Sequence, residues 1–162
     1  MNALRILTLD QVKAGDELPE LGYDVTATTV VLGALASRDW RPMHHDKEFA
    51  QQRNGVRDIF LNTPNQAAWF ERYVTDWSGP YGRLARMKFR MRDSVFPGDR
   101  MVFRGSVESV ATDASGCGFA ELRVTVSVGD RVCTECSVRI ALPTAAGDNP
   151  WTRRGDRWNP EM

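Results

Sequence analysis

An acid and an imidazole stand five residues apart in Ser37-Arg38-Asp39-Trp40-Arg41-Pro42-Met43-His44-His45-Asp46, with a proline between them. A carboxylate and an imidazole are the side chains best suited to passing a proton to and from water near neutral pH. In an unbroken helix five residues turn through about 500° and leave the pair on separate faces; in a strand the odd offset sends them to opposite sides of the sheet. Pro42 removes both options. It lacks the amide a helix interior needs and biases Arg41 away from helical angles, so a helical run ending near Asp39 must bend there. A bent connection lets Asp39 and His44 converge on one small molecule. Two other readings use the same residues: His44 as a surface side chain beside a helix cap, or His44, His45 and Asp46 as metal ligands. Neighbouring histidines in an open loop rarely converge and no third or fourth ligand presents itself, so no metal is expected.

The elements that must hold this bend follow from pattern. Val30, Val31, Leu32, Ala34, Leu35 and Ala36 form an apolar block that predicts a short buried helix from Thr28 to Ser37. Beyond the bend, Asp46 is placed to cap a second short helix, Lys47 to Gln52, with Phe49 and Ala50 as its buried face and Asn54-Gly55 as its stop. The longest helix is expected within Asp58 to Ser78, with Thr63 as cap and Pro64 in the first helical position. Its Ala67, Phe70, Val74 and Trp77 recur at spacings of three and four, and Trp69 and Tyr73 widen the stripe. So apolar a helix needs a sheet to cover it.

The second half of the chain supplies one. Met87, Phe89 and Met91 alternate with Arg86, Lys88, Arg90 and Arg92, which predicts a strand from Leu84 to Arg92 with one buried face. Phe96-Pro97-Gly98-Asp99 turns the chain into a second strand, Met101 to Val110. A third carries Leu122, Val124, Val126 and Val128, and Gly129-Asp130 makes a two-residue hairpin into the last, Arg131 to Leu142. Four antiparallel strands in succession after one long helix describe an α+β domain, an antiparallel sheet wrapped around a long central helix. The lead-in, Ile6 to Tyr23, reads as extended with at most one strand. Residues 1–143 are read as one domain and 144–162 as an irregular or flexible tail, whose Trp151 and Trp158 are costly to leave in water and have a partner chain as one possible resting place.

Composition narrows the class. In 162 residues, 42% hydrophobic and 26% charged is ordinary globular usage, and 21 basic against 21 acidic side chains give no field for nucleic acid. Met1 to Asp10 has no long apolar run, so neither a secretory signal nor a membrane span is expected. Three cysteines, Cys117, Cys133 and Cys136, fit a reducing cytoplasm; the last two lie three apart in a predicted strand and face opposite sides, against a shared metal.

Asp39-x-x-Pro42-x-His44-x-Asp46-x-x-Phe49-Ala50 resembles the signature of the MaoC-like (R)-specific enoyl-CoA hydratases, whose usual form is Asp-x-Asn-Pro-hydrophobic-His followed by Asp and Ala. The resemblance spans roughly Thr28 to Pro143. It implies the hot-dog fold of that family and a trans-2-enoyl-CoA hydratase or 3-hydroxyacyl-CoA dehydratase, with the coenzyme A thioester as substrate and no separate cofactor. Arg38-Asp39 through Asp46, Asp58 to Thr63 and Arg72 to Trp77 further resemble the short MaoC-like subunits of steroid side-chain degradation, which pair with a second MaoC-like chain. The sequence departs at Arg41, where the family usually has Asn, at Arg38, where it has Gly, and at Leu61-Asn62, where most members have His-Gly.

By that resemblance Asp39 and His44 are the catalytic pair, holding water for C3 and returning a proton to C2, and the backbone amide of Asn62 is the oxyanion donor. Trp40, Phe60, Trp69 and Phe70 are open to two readings, tunnel lining or core. Arg86 and Lys88 are open to two more, a solvated sheet face or contacts to the phosphates of coenzyme A. Family members pair two units into a continuous sheet, which implies a homodimer or a heteromer. The rival functions are a hot-dog acyl-CoA thioesterase and a non-catalytic MaoC-like subunit that completes a partner's acyl tunnel.

Overall fold

The computed structural model describes residues 6–159. Three helices, α1 (Ala27–Ala36), α2 (Lys47–Asn54) and α3 (Thr63–Ser78), accompany five strands: β1 (Glu17–Asp24), β2 (Arg83–Met91), β3 (Arg100–Thr112), β4 (Gly118–Val128) and β5 (Arg131–Leu142). The lead-in does contain a strand, β1. The sheet is antiparallel throughout, in the order β1-β3-β4-β5-β2.

That order corrects the expected succession of four neighbouring strands. β2 does not turn back onto β3 but pairs with β5 at the far edge, and β1 takes the place beside β3. The reason lies in the connection after β2. Val95 and Phe96 are buried, and Val95 accepts a hydrogen bond from the Leu61 amide (3.0 Å), so this segment is a crossover packed into the core, not a surface hairpin.

α3 lies across the inner face of the sheet. Phe70 and Val74 are fully buried on it, against a sheet face that buries Phe103, Leu122, Val124, Val138 and Ile140. Phe70 meets Phe103 edge-on at 5.3 Å, a geometry that suits the ring quadrupoles, and its burial contributes about 2–3 kcal/mol. Trp69 sits between Tyr23 of β1 (4.4 Å) and Phe103 (6.3 Å). α1 crosses the start of α3 at Gly33, where a Cβ would stand 1.9 Å from Asn65 Nδ2; that amide instead donates to the Thr29 carbonyl at 3.2 Å. The missing side chain lets the two helices touch by a polar bond.

Residues after β5 pack on the outer face of the sheet. The Arg83 guanidinium donates to the carbonyls of Pro150 (3.0 Å) and Arg153 (3.2 Å) and lies 3.6 Å from the Trp158 ring centroid, while Trp151 Nε1 donates to Gly82 O. Trp158 covers a small apolar cluster of Cys117, Phe119 and Ala141. Both tryptophans therefore meet Arg83 of their own chain. Among the described residues no helix is long and apolar enough to cross a membrane, and no three His, Cys, Asp or Glu side chains gather to hold a metal ion.

Candidate active site

The end of α1 places Asp39. The Arg38 amide donates to Leu35 O (3.1 Å) and the Asp39 amide to Ala34 O (2.9 Å), the paired bonds of a Schellman stop. Such a stop needs left-handed backbone at its penultimate position, and Arg38 adopts it with φ +54°. Glycine would do so without steric cost, so Arg38 holds a strained angle to turn Asp39 inward.

Pro42 then starts a single 3₁₀ turn, Pro42–His44, and the helix that follows is capped as expected. Asp46 accepts from the Phe49 amide (3.0 Å), and Gly55 ends α2 at φ +67°. This turn drives His44 inward until only 4% of it is exposed. Its Nδ1 lies 2.8 Å from Phe60 O. A carbonyl can only accept, so Nδ1 carries the proton and Nε2 is left to face the site. There it stands 3.5 Å from Asp39 Oδ2.

α3 brings the third component. Asn62, not Thr63, is the helix cap: its Oδ1 accepts from the Asn65 amide (3.3 Å), which places Pro64 second in the helix. Asparagine outranks threonine at this position, a signal the sequence already held. The same side chain works in both directions, since its Nδ2 donates to Ser37 Oγ (2.8 Å) and to Asp39 Oδ2 (3.1 Å). Ser37 Oγ donates in turn to Gly33 O at 2.8 Å, which fixes it as the acceptor for Asn62. Sequence reasoning named only the backbone amide of Asn62 and gave Ser37 no role. Nothing local links positions 37, 39 and 62.

The electrostatics follow from these contacts. Partial burial pushes the Asp39 carboxyl up, but the Asn62 amide, the Arg41 backbone N–H and the charges of His44 and Arg41 outweigh it and hold Asp39 below its ordinary 3.8. Asp39 is ionised at neutral pH. In the tautomer that carries its proton on Nδ1, Nε2 and a carboxylate oxygen are both acceptors, and a water on the cleft side can bridge them by donating one O–H to each. Arg41, in the position where an Asn was the expectation, reaches Asp39 Oδ1 with Nε at 3.3 Å from an exposed side chain.

These groups open on a cleft of about 940 Å³ lined by Asp39, Trp40, His44, Phe60, Asn62 and Met91, among others. Leu61, Asn62 and Thr63 bring the positive end of α3 to the same wall. Of the side chains singled out for substrate, Trp40 and Phe60 line the cleft. Trp69 and Phe70 lie in the core under the sheet, and Arg86 and Lys88 project from its outer face. None of those four walls the cleft.

A family model described as the MaoC like domain matches residues 14–132. The chain belongs to the MaoC-like family. The beta subunit of 3-oxo-4,17-pregnadiene-20-carboxyl-CoA hydratase from Mycobacterium tuberculosis is 36% identical over 96 residues, 59% of this MaoC-like chain and 74% of the relative. A chain of the ChsH1-ChsH2 complex from the same organism superposes with a TM-score of 0.72 at 28% identity, over 80% of this chain and 97% of that one. The (R)-hydratase from A. caviae superposes with a TM-score of 0.72 at 19% identity, over 82% and 98%. At that identity the likeness speaks for the fold alone, the hot-dog fold of these hydratases.

Proposed function

We propose that this MaoC-like chain hydrates a trans-2-enoyl-CoA with Asp39 and His44 as the catalytic pair. The observation that carries the reading is the convergence of Asp39 Oδ2 and His44 Nε2, 3.5 Å apart, on one wall of the cleft beside the start of α3. Water held between the two acceptors presents its oxygen to C3. As that bond forms, the pair takes one proton from the water and returns one proton to C2, so both groups end as they began. Charge building on the thioester oxygen is met by the amides of Asn62 and Thr63, where the dipole of α3 favours it. The orphaned N–H groups of a helix start are free for this use.

The acyl group is read as a bulky steroid side-chain thioester, on the likeness to the pregnadiene carboxyl-CoA hydratase subunit and the size of the cleft. The ring of Trp40, 65% exposed on the rim, is apolar surface for such a group. The working unit is read as a heteromer with a second MaoC-like chain, since the superposable chain comes from a two-component complex.

The test follows the enoyl-thioester absorbance when purified protein meets crotonyl-CoA or a steroid side-chain enoyl-CoA. Loss of absorbance without free thiol, abolished in Asp39→Asn and His44→Ala, is the expected result. Release of free thiol would replace the hydratase reading with a thioesterase.

A further inference from the structure

The start of α3 is short of donors for an anion. Pro64, second in the helix, has no N–H, and the Asn65 amide is already bonded to Asn62 Oδ1 at 3.3 Å. The first turn therefore offers the amides of Asn62 and Thr63 and no third backbone group. A side chain stands where that third donor is wanting. Thr63 is exposed and lines the cleft, and among the described residues its hydroxyl has one partner, the Met91 sulfur at 3.4 Å. A thioether is a weak acceptor. Met91 lines the same cleft, so both ends of this contact belong to its wall.

A donor resting on so poor an acceptor exchanges it readily for an oxygen that carries charge, since a hydrogen bond to an ionised acceptor is roughly twice as strong as one between neutral groups. The hydroxyl and the amide of a threonine spring from one Cα, so an oxygen received by the Thr63 N–H is within a rotamer change of the Thr63 O–H. We propose that Thr63 is a further catalytic residue, its Oγ1–H donating to the thioester oxygen beside the amides of Asn62 and Thr63. This deepens the hydratase reading above and rests on it. As water adds to C3, the C2–C3 π electrons shift toward the thioester and its oxygen gains enolate charge. The hydroxyl turns from the Met91 sulfur to that oxygen and donates without giving up its proton. It turns back when C2 is protonated and the carbonyl re-forms. The bond is weak to the neutral carbonyl and strong to the charged oxygen, so its loss falls on kcat and spares KM.

The test compares Thr63→Val, which keeps the β-branched shape and removes the hydroxyl, with Thr63→Ser, which keeps the hydroxyl. Thr63 is exposed and is not the helix cap, so both full-length variants are expected to fold, checked by circular dichroism. In hydration of an enoyl-CoA, Thr63→Val is expected to lower kcat about 10- to 100-fold with KM within about threefold, and Thr63→Ser to stay within about threefold of wild type in both. A second readout needs no hydration. Butyryl-CoA, saturated and unable to take up water, is bound with a ¹³C label in its thioester carbonyl, and the carbonyl stretch is read by infrared difference spectroscopy. Wild type and Thr63→Ser are expected to lower that stretch from its value in solution, and Thr63→Val to lower it less. An unchanged kcat in Thr63→Val, an equal carbonyl shift in Thr63→Val and wild type, or a loss in Thr63→Ser as large as in Thr63→Val overturns the proposal. Should wild type fail to hydrate, the hydratase reading falls by itself, and the carbonyl shift still decides whether Thr63 meets the thioester oxygen.

Discussion

Charge is organised in opposite ways in the cleft and on the outer face of the sheet. In the cleft, the side chains of His44 and Asp39 are 5% and 11% exposed, and each has fixed partners. On the outer face, the members of Arg92–Glu135 are 48% and 49% exposed, those of Arg104–Glu20 are 59% and 52%, and those of Arg123–Glu108 are 72% and 41%. Several times more ionic groups lie on that face, yet water screens each of them and their pairs contribute little. Desolvation, not the density of charge, distinguishes the chemical site: a buried group must be paired, and its pairing fixes both its geometry and its protonation.

The comparison breaks most visibly at the pair itself. Asp39→Asn or His44→Ala is expected to lower enoyl-CoA hydration by about 10³-fold while the variant remains folded, read by initial rates beside circular dichroism. Next comes Asn62→Asp, which keeps a helix cap but sets a second carboxylate where an amide now donates 3.1 Å from Asp39; kcat should fall about 100-fold. Its pH behaviour has a defined sign. Asp39 is held below 3.8, so the stability its ionisation contributes is complete above the unfolded value and is lost as pH falls through the lower folded one. The gap in Tm between wild type and Asn62→Asp should therefore be widest near neutrality and close below about pH 4.

Smaller effects sharpen the contrast. Arg38→Gly removes the cost of left-handed backbone at φ +54° and is expected to raise stability by about 1 kcal/mol in denaturant unfolding, leaving the rate unchanged within about twofold. Smallest of all, Arg123→Ala or Arg92→Ala on the outer face should shift stability by no more than about 0.5 kcal/mol and leave hydration untouched. A large loss of activity from either would bring the outer face into the site.

Much of this was legible before any coordinates. The stop of α1, the bend at Pro42, the Asp46 cap with its Gly55 stop and the Gly129-Asp130 hairpin all follow from rules that act within a few residues. The alternation in β2 and β4 marked their inward faces for the same reason, but in β5 an irregularity in the pairing at Cys133 brings Cys133 and Cys136, expected on opposite sides, into the same core. The cap of α3 was misplaced by one residue, because Thr63 before Pro64 satisfies the same rules that Asn62 satisfies better. The cationic row at Arg86 and Lys88 is open in the sequence to two readings, a solvated sheet face or contacts to phosphates; the fold exposes both side chains on the outer face, away from the cleft.

Local backbone chemistry thus sets the helices, the strands and the sharp approach to Asp39 and His44, since dihedral limits and capping bonds span only neighbouring residues. Packing across the whole domain sets the rest: β2 leaves its neighbour for β5, a crossover buries Val95, and Asn62 arrives beside Ser37 and Asp39 from the start of another helix. Those contacts join residues whose separation in the chain carries no pattern. They exist because the apolar faces of α1, α3 and the sheet can all be buried in only a few arrangements, and the arrangement formed here leaves the polar ends of α1 and α3 to satisfy one another around the carboxylate.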